Sequence, residues 1–201
     1  MDTNLTVAFG SEISAAATRH HLDPRLLAAV AAQETGGPGA DSGRNIVGDA
    51  GHGHGVFQID DRWHAFARSP AAMDPGRNAD YAAGLLESNL NRYHDLRSAL
   101  SAYNAGSPGA TGTRTDWGDG RPVGYADSVF RHYAQLGGDP SDTSAAGGGL
   151  AALAAQLGGS PAVGMPLNLP PYRPLPQADA RDRDLAPYAD AAGDGDDGIG
   201  A

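Results

Sequence analysis

Three carboxylates stand in a part of the chain with the composition of a catalytic cleft. Glu34 ends an apolar, alanine-rich segment, and the glycine-rich stretch VGDAGHGHGVFQIDDR, residues 47–62, then carries Asp49 and Asp60. Because burial disfavours a charged carboxylate, we expect a raised pKa at Glu34, as a general acid near neutral pH requires. A second carboxylate roughly 6.5–9.5 Å away can hold the water that attacks a sugar in inverting glycoside cleavage. The pattern is typical of a glycosidase acting on a polysaccharide. The structural alternatives are an exposed glutamate at a helix end for Glu34, a turn-forming aspartate for Asp49 and a helix cap for Asp60.

Two amides and one aromatic ring are the candidate substrate contacts. Gln58 and Asn104 each offer a donor and an acceptor, which suits acetamido and hydroxyl groups. Tyr103 offers an apolar face to a sugar ring and a hydroxyl at its edge. Structural roles are the alternative: strand packing for Gln58, and helix capping for Asn104, which precedes Ala105 and Gly106.

Four motifs in order carry a resemblance to a known family. They are AAQETG at residues 31–36, GDAGHGHGVFQID at 48–60, NADYAAGLL at 78–86 and SAYNAG at 101–106. Together they resemble goose-type lysozymes and the wider lytic-transglycosylase-like group, over roughly residues 10–137. The resemblance implies that Glu34 is the acid, that Asp49 and Asp60 position the attacking water, and that Gln58, Tyr103 and Asn104 line the substrate cleft.

The same resemblance implies a substrate and leaves the reaction open. The expected activity is an inverting hydrolysis of the β-1,4 bond between N-acetylmuramic acid and N-acetylglucosamine in peptidoglycan strands. The first alternative is a lytic transglycosylase, in which the muramyl 6-hydroxyl replaces water and 1,6-anhydro ends form. Asp49 and Asp60 favour hydrolysis, because lytic transglycosylases typically lack these aspartates. A noncatalytic wall-binding or structural module is the second alternative, and the intact Glu34 argues against it.

The pair His52 and His54 raises the question of a metal. With Asp49 these histidines would supply three zinc ligands. They lie inside a glycine loop that the family resemblance explains without a metal, so we predict neither a metal nor any other cofactor.

Composition and charge limit the partners. The formal net charge of −10 disfavours binding to nucleic acid or to anionic membranes. No apolar run is long enough to span a bilayer, and residues 1–14 do not have the pattern of a classical signal peptide. We expect a monomer that acts on the bacterial cell wall, released in the manner of a phage lysin or by non-classical secretion.

Hydrophobic periodicity predicts a mainly α, lysozyme-like fold with a small β element beside the cleft. Asp23 and Pro24 form a helix start, and the helix should end near Thr35 before Gly36-Gly37-Pro38. The other predicted helices are 11–21, 78–93, 95–105 and 125–136, and Val56 to Ile59 is predicted to be a short strand.

The composition changes near Gly137. Eight of the fourteen prolines fall in residues 138–201, together with Gly147-Gly148-Gly149 and several aspartates. Such a segment has too little apolar material to offset the entropy of ordering. We predict a catalytic domain at residues 1–137 and a disordered tail at 138–201, in which Leu150 to Leu157 is the one candidate helix.

Deletion of residues 140–201 should leave the melting temperature and the cleavage of soluble wall fragments nearly unchanged, because the tail offers few large apolar side chains to the core. Thermal unfolding of the full and shortened chains, with digestion of purified wall, measures both quantities. A large drop in melting temperature would show that Leu150 to Leu157 packs on the domain.

Overall fold

The computed structural model describes residues 5–141 and shows five α-helices, one of them buried in the core, together with a small sheet. The helices are α1 (Gly10–Arg19), α2 (Pro24–Ala31), α3 (Pro75–Tyr93), α4 (Leu96–Ala105) and α5 (Tyr125–Gln135). The strands are β1 (Ile46–Gly48), β2 (Gly53–Gly55) and β3 (Ile59–Asp60), and they pair antiparallel in that order. The predicted fold class, mainly α with a small β element, is confirmed.

Helix α2 forms the centre of the core. Six consecutive residues, Leu26 to Ala31, are buried on every side of the helix, and α1 and α5 pack against it. A helix that is apolar all round is expected to be buried. Burial of a leucine side chain contributes about 2 kcal/mol, so Leu26 and Leu27 alone strongly favour this central position.

Three aspartates begin three of the helices, and each cap has a sequence cause. Asp23, Asp74 and Asp95 accept backbone N–H groups of the first turns of α2, α3 and α4. Proline follows the first two of these caps, where its missing N–H costs nothing. Asp23 also accepts the Tyr133 hydroxyl at 2.8 Å, which connects α2 to α5. Burial tends to raise the pKa of Asp23, but the bonds from Arg25 and Tyr133 outweigh it and lower the pKa.

The strand predicted at Val56 to Ile59 is wrong in its position. Strand β2 ends before this segment, residues Val56 to Gln58 form a turn, and β3 begins at Ile59. The turn is held by Asn78 of α3, which is fully buried. Its amide accepts the Phe57 N–H at 2.8 Å and donates to the His54 carbonyl at 3.0 Å. An apolar run is thus buried in a turn, because a distant side chain satisfies its backbone groups.

The connections between the elements include short irregular helices. A π-turn continues α2 over Ala32–Gly36, and 3-10 turns occupy Asp49–Gly51, Ala65–Arg68 and Pro70–Met73. No helix within residues 5–141 is both long and apolar enough to cross a membrane. The tail prediction and the candidate helix at Leu150 to Leu157 lie outside the described residues.

Candidate active site

Glu34 lies on the π-turn that follows α2. Short π-turns are rare and frequently occur at functional sites, because they displace side chains from the regular helical direction. The glutamate is half-buried, and the Tyr125 hydroxyl donates a hydrogen bond to its Oε1 at 2.6 Å. Tyr125 is the first residue of α5 and is fully buried, so this bond joins the π-turn to α5.

Both neighbours of Glu34 are fixed by hydrogen bonds. The Thr35 hydroxyl donates to the Val56 carbonyl at 3.0 Å and accepts the Arg44 N–H at 2.7 Å. The Gln33 amide donates to the Thr115 hydroxyl at 2.9 Å and accepts a hydrogen bond from the Ser128 hydroxyl. The π-turn is therefore attached to the sheet on one side and to α5 on the other.

Two tyrosines surround the glutamate as neutral groups. The rings of Tyr103 and Tyr125 stack with centroids 6.4 Å apart. Burial raises the pKa of both phenols well above the ordinary value, and the nearby Glu34 charge adds to the effect. Both therefore keep their protons at neutral pH. Tyr103 donates a long hydrogen bond of 3.5 Å to the Phe57 carbonyl, so it also contacts the turn before β3.

Asp49 and Asp60 are brought together by a residue that the sequence did not suggest. The Arg62 guanidinium contacts Asp49 Oδ2 at 2.5 Å through Nη2, and Asp60 at 2.9 Å through Nε. Its pKa is raised, mainly by the hydrogen bonds to Asp60, with a smaller contribution from Asp49. The Asp49 side chain is 49% exposed and that of Asp60 is 18% exposed. The two carboxylates share one cation at the surface of the sheet.

Gln58 and Asn104 both make internal hydrogen bonds. Gln58 Nε2 donates to the carbonyls of Ile46 and Gly55 at 3.1 and 2.9 Å, across the sheet. Asn104 Oδ1 accepts the Thr113 N–H at 2.8 Å and its Nδ2 donates to the Thr113 hydroxyl at 3.3 Å. Gln58 thus packs across the sheet, as its structural alternative predicted. Asn104 bonds to Thr113 and does not cap α4, whose C-cap is Gly106. A substrate contact of either amide stays a prediction.

The alternating glycines of residues 48–55 make room for these internal amides. A Cβ on Gly48 or Gly53 would overlap the Gln58 amide oxygen, and a Cβ on Gly55 would overlap the Asn78 amide. Asp49 and Ala50 both have a positive φ, 46° and 53°, although neither is a glycine. Backbone strain of this kind often accompanies functional sites.

The histidines of the loop contact a different acid from the one considered in the sequence. His52 Nδ1 lies 2.9 Å from Asp61 Oδ1, and His54 Nε2 lies 3.2 Å from Asp61 Oδ2. Hydrogen bonds to these two histidines lower the pKa of Asp61. Among residues 5–141, no set of three His, Asp or Glu side chains is arranged to hold a metal ion.

Several residues of the cleft were missed by sequence reasoning. They are Tyr125, Arg62, His64 and Tyr81. His64 Nδ1 lies 3.0 Å from the Tyr81 hydroxyl. Burial lowers the pKa of His64, against a smaller opposing effect of Asp60, so the ring is neutral at pH 7. Tyr81 also contributes to the raised pKa of Tyr103. Of these contacts, only the pairing of Asp60 with Arg62 had a local sequence signal, the i, i+2 spacing of an acid and a base.

The fold and the cleft define a mainly helical domain with one half-buried glutamate held between tyrosines. The Transglycosylase SLT domain family matches residues 11–115, just over half of the chain. The chain belongs to this family.

One relative and one negative result complete the comparison. The chain is 34% identical over 141 residues to a protein described as a transglycosylase of Enterobacteria phage PRD1. The aligned part covers 67% of this chain and 47% of the phage protein, so the chain spans about half the length of that relative. No solved structure matches the chain.

Thr35→Val should lower the free energy of unfolding by about 2 kcal/mol and reduce activity further than this loss of stability explains. Valine keeps the shape but leaves the Val56 carbonyl without its hydroxyl donor and releases the Arg44 N–H. Urea unfolding and turnover of the folded variant measure the two effects.

Thr18→Val is the matched control, because Thr18 makes the same kind of bond, to the Ser14 carbonyl at 2.8 Å, on an exposed helix face. It should change stability by no more than roughly 0.5 kcal/mol. Equal losses in the two variants would contradict the role given to Thr35.

Proposed function

We propose that this domain cleaves the β-1,4 bond between N-acetylmuramic acid and N-acetylglucosamine in peptidoglycan, with Glu34 as the general acid. The observation that carries the proposal is the environment of Glu34: a half-buried carboxyl on a π-turn, fixed on both sides and bonded to Tyr125. Family membership and the printed description of the phage relative support it. By the same reasoning the domain acts on the bacterial cell wall and its partner is the glycan strand.

Tyr125 and Tyr103 serve the acid in different ways. Tyr125 is a positioning residue, since its protonated hydroxyl holds Oε1 of Glu34 in one place. Once Glu34 has given its proton to the leaving oxygen, the same hydrogen bond stabilises the carboxylate that remains. Tyr103 joins α4 to the turn at Phe57 through its hydroxyl, and we assign it the role of a neutral, largely apolar wall beside the acid.

Intramolecular transglycosylation is the reaction that we favour. Glu34 protonates the leaving O4 of N-acetylglucosamine, and the bond from muramyl C1 to that oxygen breaks. The Glu34 carboxylate then takes the proton of the muramyl 6-hydroxyl, whose oxygen bonds to C1 and closes the 1,6-anhydro ring. Both proton transfers use one residue, so no water-holding carboxylate is required. The pairing of Asp49 and Asp60 with Arg62 supports this choice, because the guanidinium already occupies carboxylate oxygens that would otherwise hold the attacking water.

Inverting hydrolysis, the activity expected from the sequence, is the second candidate. The exposed half of Asp49 is the observation in its favour, since a carboxylate at a cleft surface can still accept a hydrogen bond from water. A noncatalytic wall-binding module fits less well, because a binder gains nothing from a fixed, half-buried acid.

Glu34→Gln should lower turnover by at least about 10³-fold and leave binding of a chitooligosaccharide unchanged. Glutamine keeps the shape and can still accept the Tyr125 hydrogen bond, but it has no proton to give. Turbidity loss of purified wall and calorimetric binding measure the two properties.

Glu87→Gln is the matched control, since Glu87 is a partly buried glutamate that bonds to His20 and lies on α3. It should keep activity within about 2-fold. Near-normal activity of Glu34→Gln would remove the catalytic assignment altogether.

The masses of the digestion products should show 1,6-anhydro ends, about 18 Da lighter per end than the products of hydrolysis. The double variant Asp49→Asn, Asp60→Asn should then keep turnover within about 10-fold, because the acceptor proton goes to Glu34 in transglycosylation. Thermal unfolding of the same variant measures how much stability is lost with the Arg62 contacts, so that a loss of activity caused by unfolding can be recognised. Reducing muramyl ends, with a loss above about 100-fold in the double variant, would establish hydrolysis instead.

A further inference from the structure

A hairpin, residues 115–123, lies in the loop between α4 and α5. Thr115 and Val123 pair through two backbone hydrogen bonds, of 2.9 and 3.0 Å. At its tip Asp116 Oδ1 accepts the Gly118 N–H at 2.8 Å, and Gly118 has the positive φ, 88°, that a tight turn requires. The loop therefore contains a defined element, which we call the 115–123 hairpin.

Trp117 attaches the 115–123 hairpin to α5. Its ring packs on the fully buried His132, with ring centroids 4.6 Å apart, and the Arg131 guanidinium lies 5.6 Å from the indole centroid. The indole Nε1 donates a hydrogen bond to the buried Ser128 hydroxyl at 2.9 Å. Ring packing and a satisfied N–H together hold the indole in one orientation.

The hydrogen bond from Trp117 continues to the residue before Glu34. The Ser128 hydroxyl has one proton, which it donates to Oε1 of Gln33. The other end of the same amide, Nε2, donates to the Thr115 hydroxyl at 2.9 Å. The hairpin therefore binds both ends of the Gln33 amide, one end directly and the other through Ser128.

The 115–123 hairpin also leads directly into the tyrosine that bonds to Glu34. Gly124 follows the hairpin, and Tyr125 comes next. The Tyr125 N–H donates to the Thr111 carbonyl at 2.9 Å, so the two ends of the loop are held together. A Cβ on Gly124 would lie 2.8 Å from that carbonyl oxygen, which explains the glycine at this position. One continuous loop thus reaches both Glu34 and the residue before it.

We propose that Trp117 is a positioning residue for the reaction: through Ser128 and Gln33 it holds the π-turn, and with it the Glu34 carboxyl, in the orientation that proton transfer needs. Its effect reaches the acid through hydrogen bonds within the protein. A small displacement of an acid from its reacting position is enough to slow the chemical step. The inference rests on the proposed function, since it takes Glu34 as the acid.

The physical basis is the choice of acceptor for the Ser128 hydroxyl. A helical serine can also donate to the carbonyl four residues earlier, here that of Gly124. The Trp117 N–H occupies a lone pair of the serine oxygen, and in that arrangement the hydroxyl proton points to Gln33. Without the indole donor the Gly124 carbonyl competes for the proton, and Oε1 of Gln33 loses its donor in a fraction of the molecules.

Trp117→Phe should lower kcat on soluble wall fragments by about 3- to 10-fold and leave KM within about 2-fold, as expected for the loss of one hydrogen bond that acts on the acid. Phenylalanine keeps a ring against His132 but has no N–H to donate. The matched control is Trp63→Phe. Trp63 is the other tryptophan of the chain, and within residues 5–141 its Nε1 has no hydrogen-bond partner. This control should keep kcat within about 2-fold.

A double-variant cycle with Gln33→Met tests the route. Methionine has a side chain of similar length but no amide, so in that background Trp117→Phe should lower kcat by less than about 2-fold further. The same factor in both backgrounds, or a loss confined to KM, would overturn the assignment.

Nuclear magnetic resonance measures the position of Glu34 without turnover. The chain has three glutamates, Glu12, Glu34 and Glu87, so a carbon-13 label in the glutamate carboxyl gives three signals, and Glu34→Gln identifies one of them. In Trp117→Phe the Glu34 signal should move or broaden while the other two stay in place. In Trp63→Phe all three should stay in place.

The same spectra keep this inference separate from the proposed function. A Glu34 signal that moves in Trp117→Phe supports the positioning role even if the wild-type chain cleaves no peptidoglycan, an outcome that contradicts the proposed function alone. A Glu34 signal that stays in place overturns the positioning role even if cleavage is normal. The spectra decide the question also where Gln33→Met does not fold.

Discussion

The hydroxyl of Thr35 and the amide of Gln33 hold the π-turn on which the site depends. Thr35 connects the turn to Val56 and Arg44, and Gln33 connects it to Thr115 and to Ser128 of α5. Short π-turns are rare, and in this one the side chains on both flanks of Glu34 make hydrogen bonds to other parts of the fold. Because those partners come from the sheet and from α5, the position of Glu34 depends on the complete fold rather than on α2 alone.

Side-chain amides of Gln58 and Asn78 stabilise the sheet, as Thr35 and Gln33 stabilise the π-turn. The three strands contain three, three and two residues, and such short strands have little stability alone. Gln58 joins the carbonyls of Ile46 and Gly55, and Asn78 joins the turn at Phe57 to α3. The glycines at 48, 53 and 55 are required because these amides occupy the space of their side chains. Thus the loop that carries Asp49 is shaped by hydrogen bonds within the protein.

The helices, and the place of Glu34 just after α2, could be predicted from the sequence because their causes are local. Asp23 and Pro24 mark a helix start within two residues, and an apolar run followed by Gly36 marks its end. The partners of the site could not be predicted in this way. Tyr125 is 91 positions from Glu34, and Asn78 is 21 positions from the Phe57 N–H that it accepts. The apolar run Val56 to Ile59 therefore indicated a strand, because nothing local in the sequence shows that Asn78 satisfies the backbone of a turn there.

The motif resemblance singled out Asp49 and Asp60. Their role in positioning the attacking water was inferred from the resemblance alone. With Arg62 between them, the two carboxylates and one guanidinium carry a net charge of −1 in total. The transition state of glycoside cleavage has positive charge on the sugar, in hydrolysis and in transglycosylation alike. A residual negative charge at the cleft would stabilise that state electrostatically under either mechanism. The presence of two aspartates therefore does not by itself indicate that water is the acceptor. What distinguishes the two reactions is which oxygen reaches the sugar carbon first. Under the function proposed above, the muramyl 6-hydroxyl has the advantage of proximity, because the substrate itself carries it to that carbon.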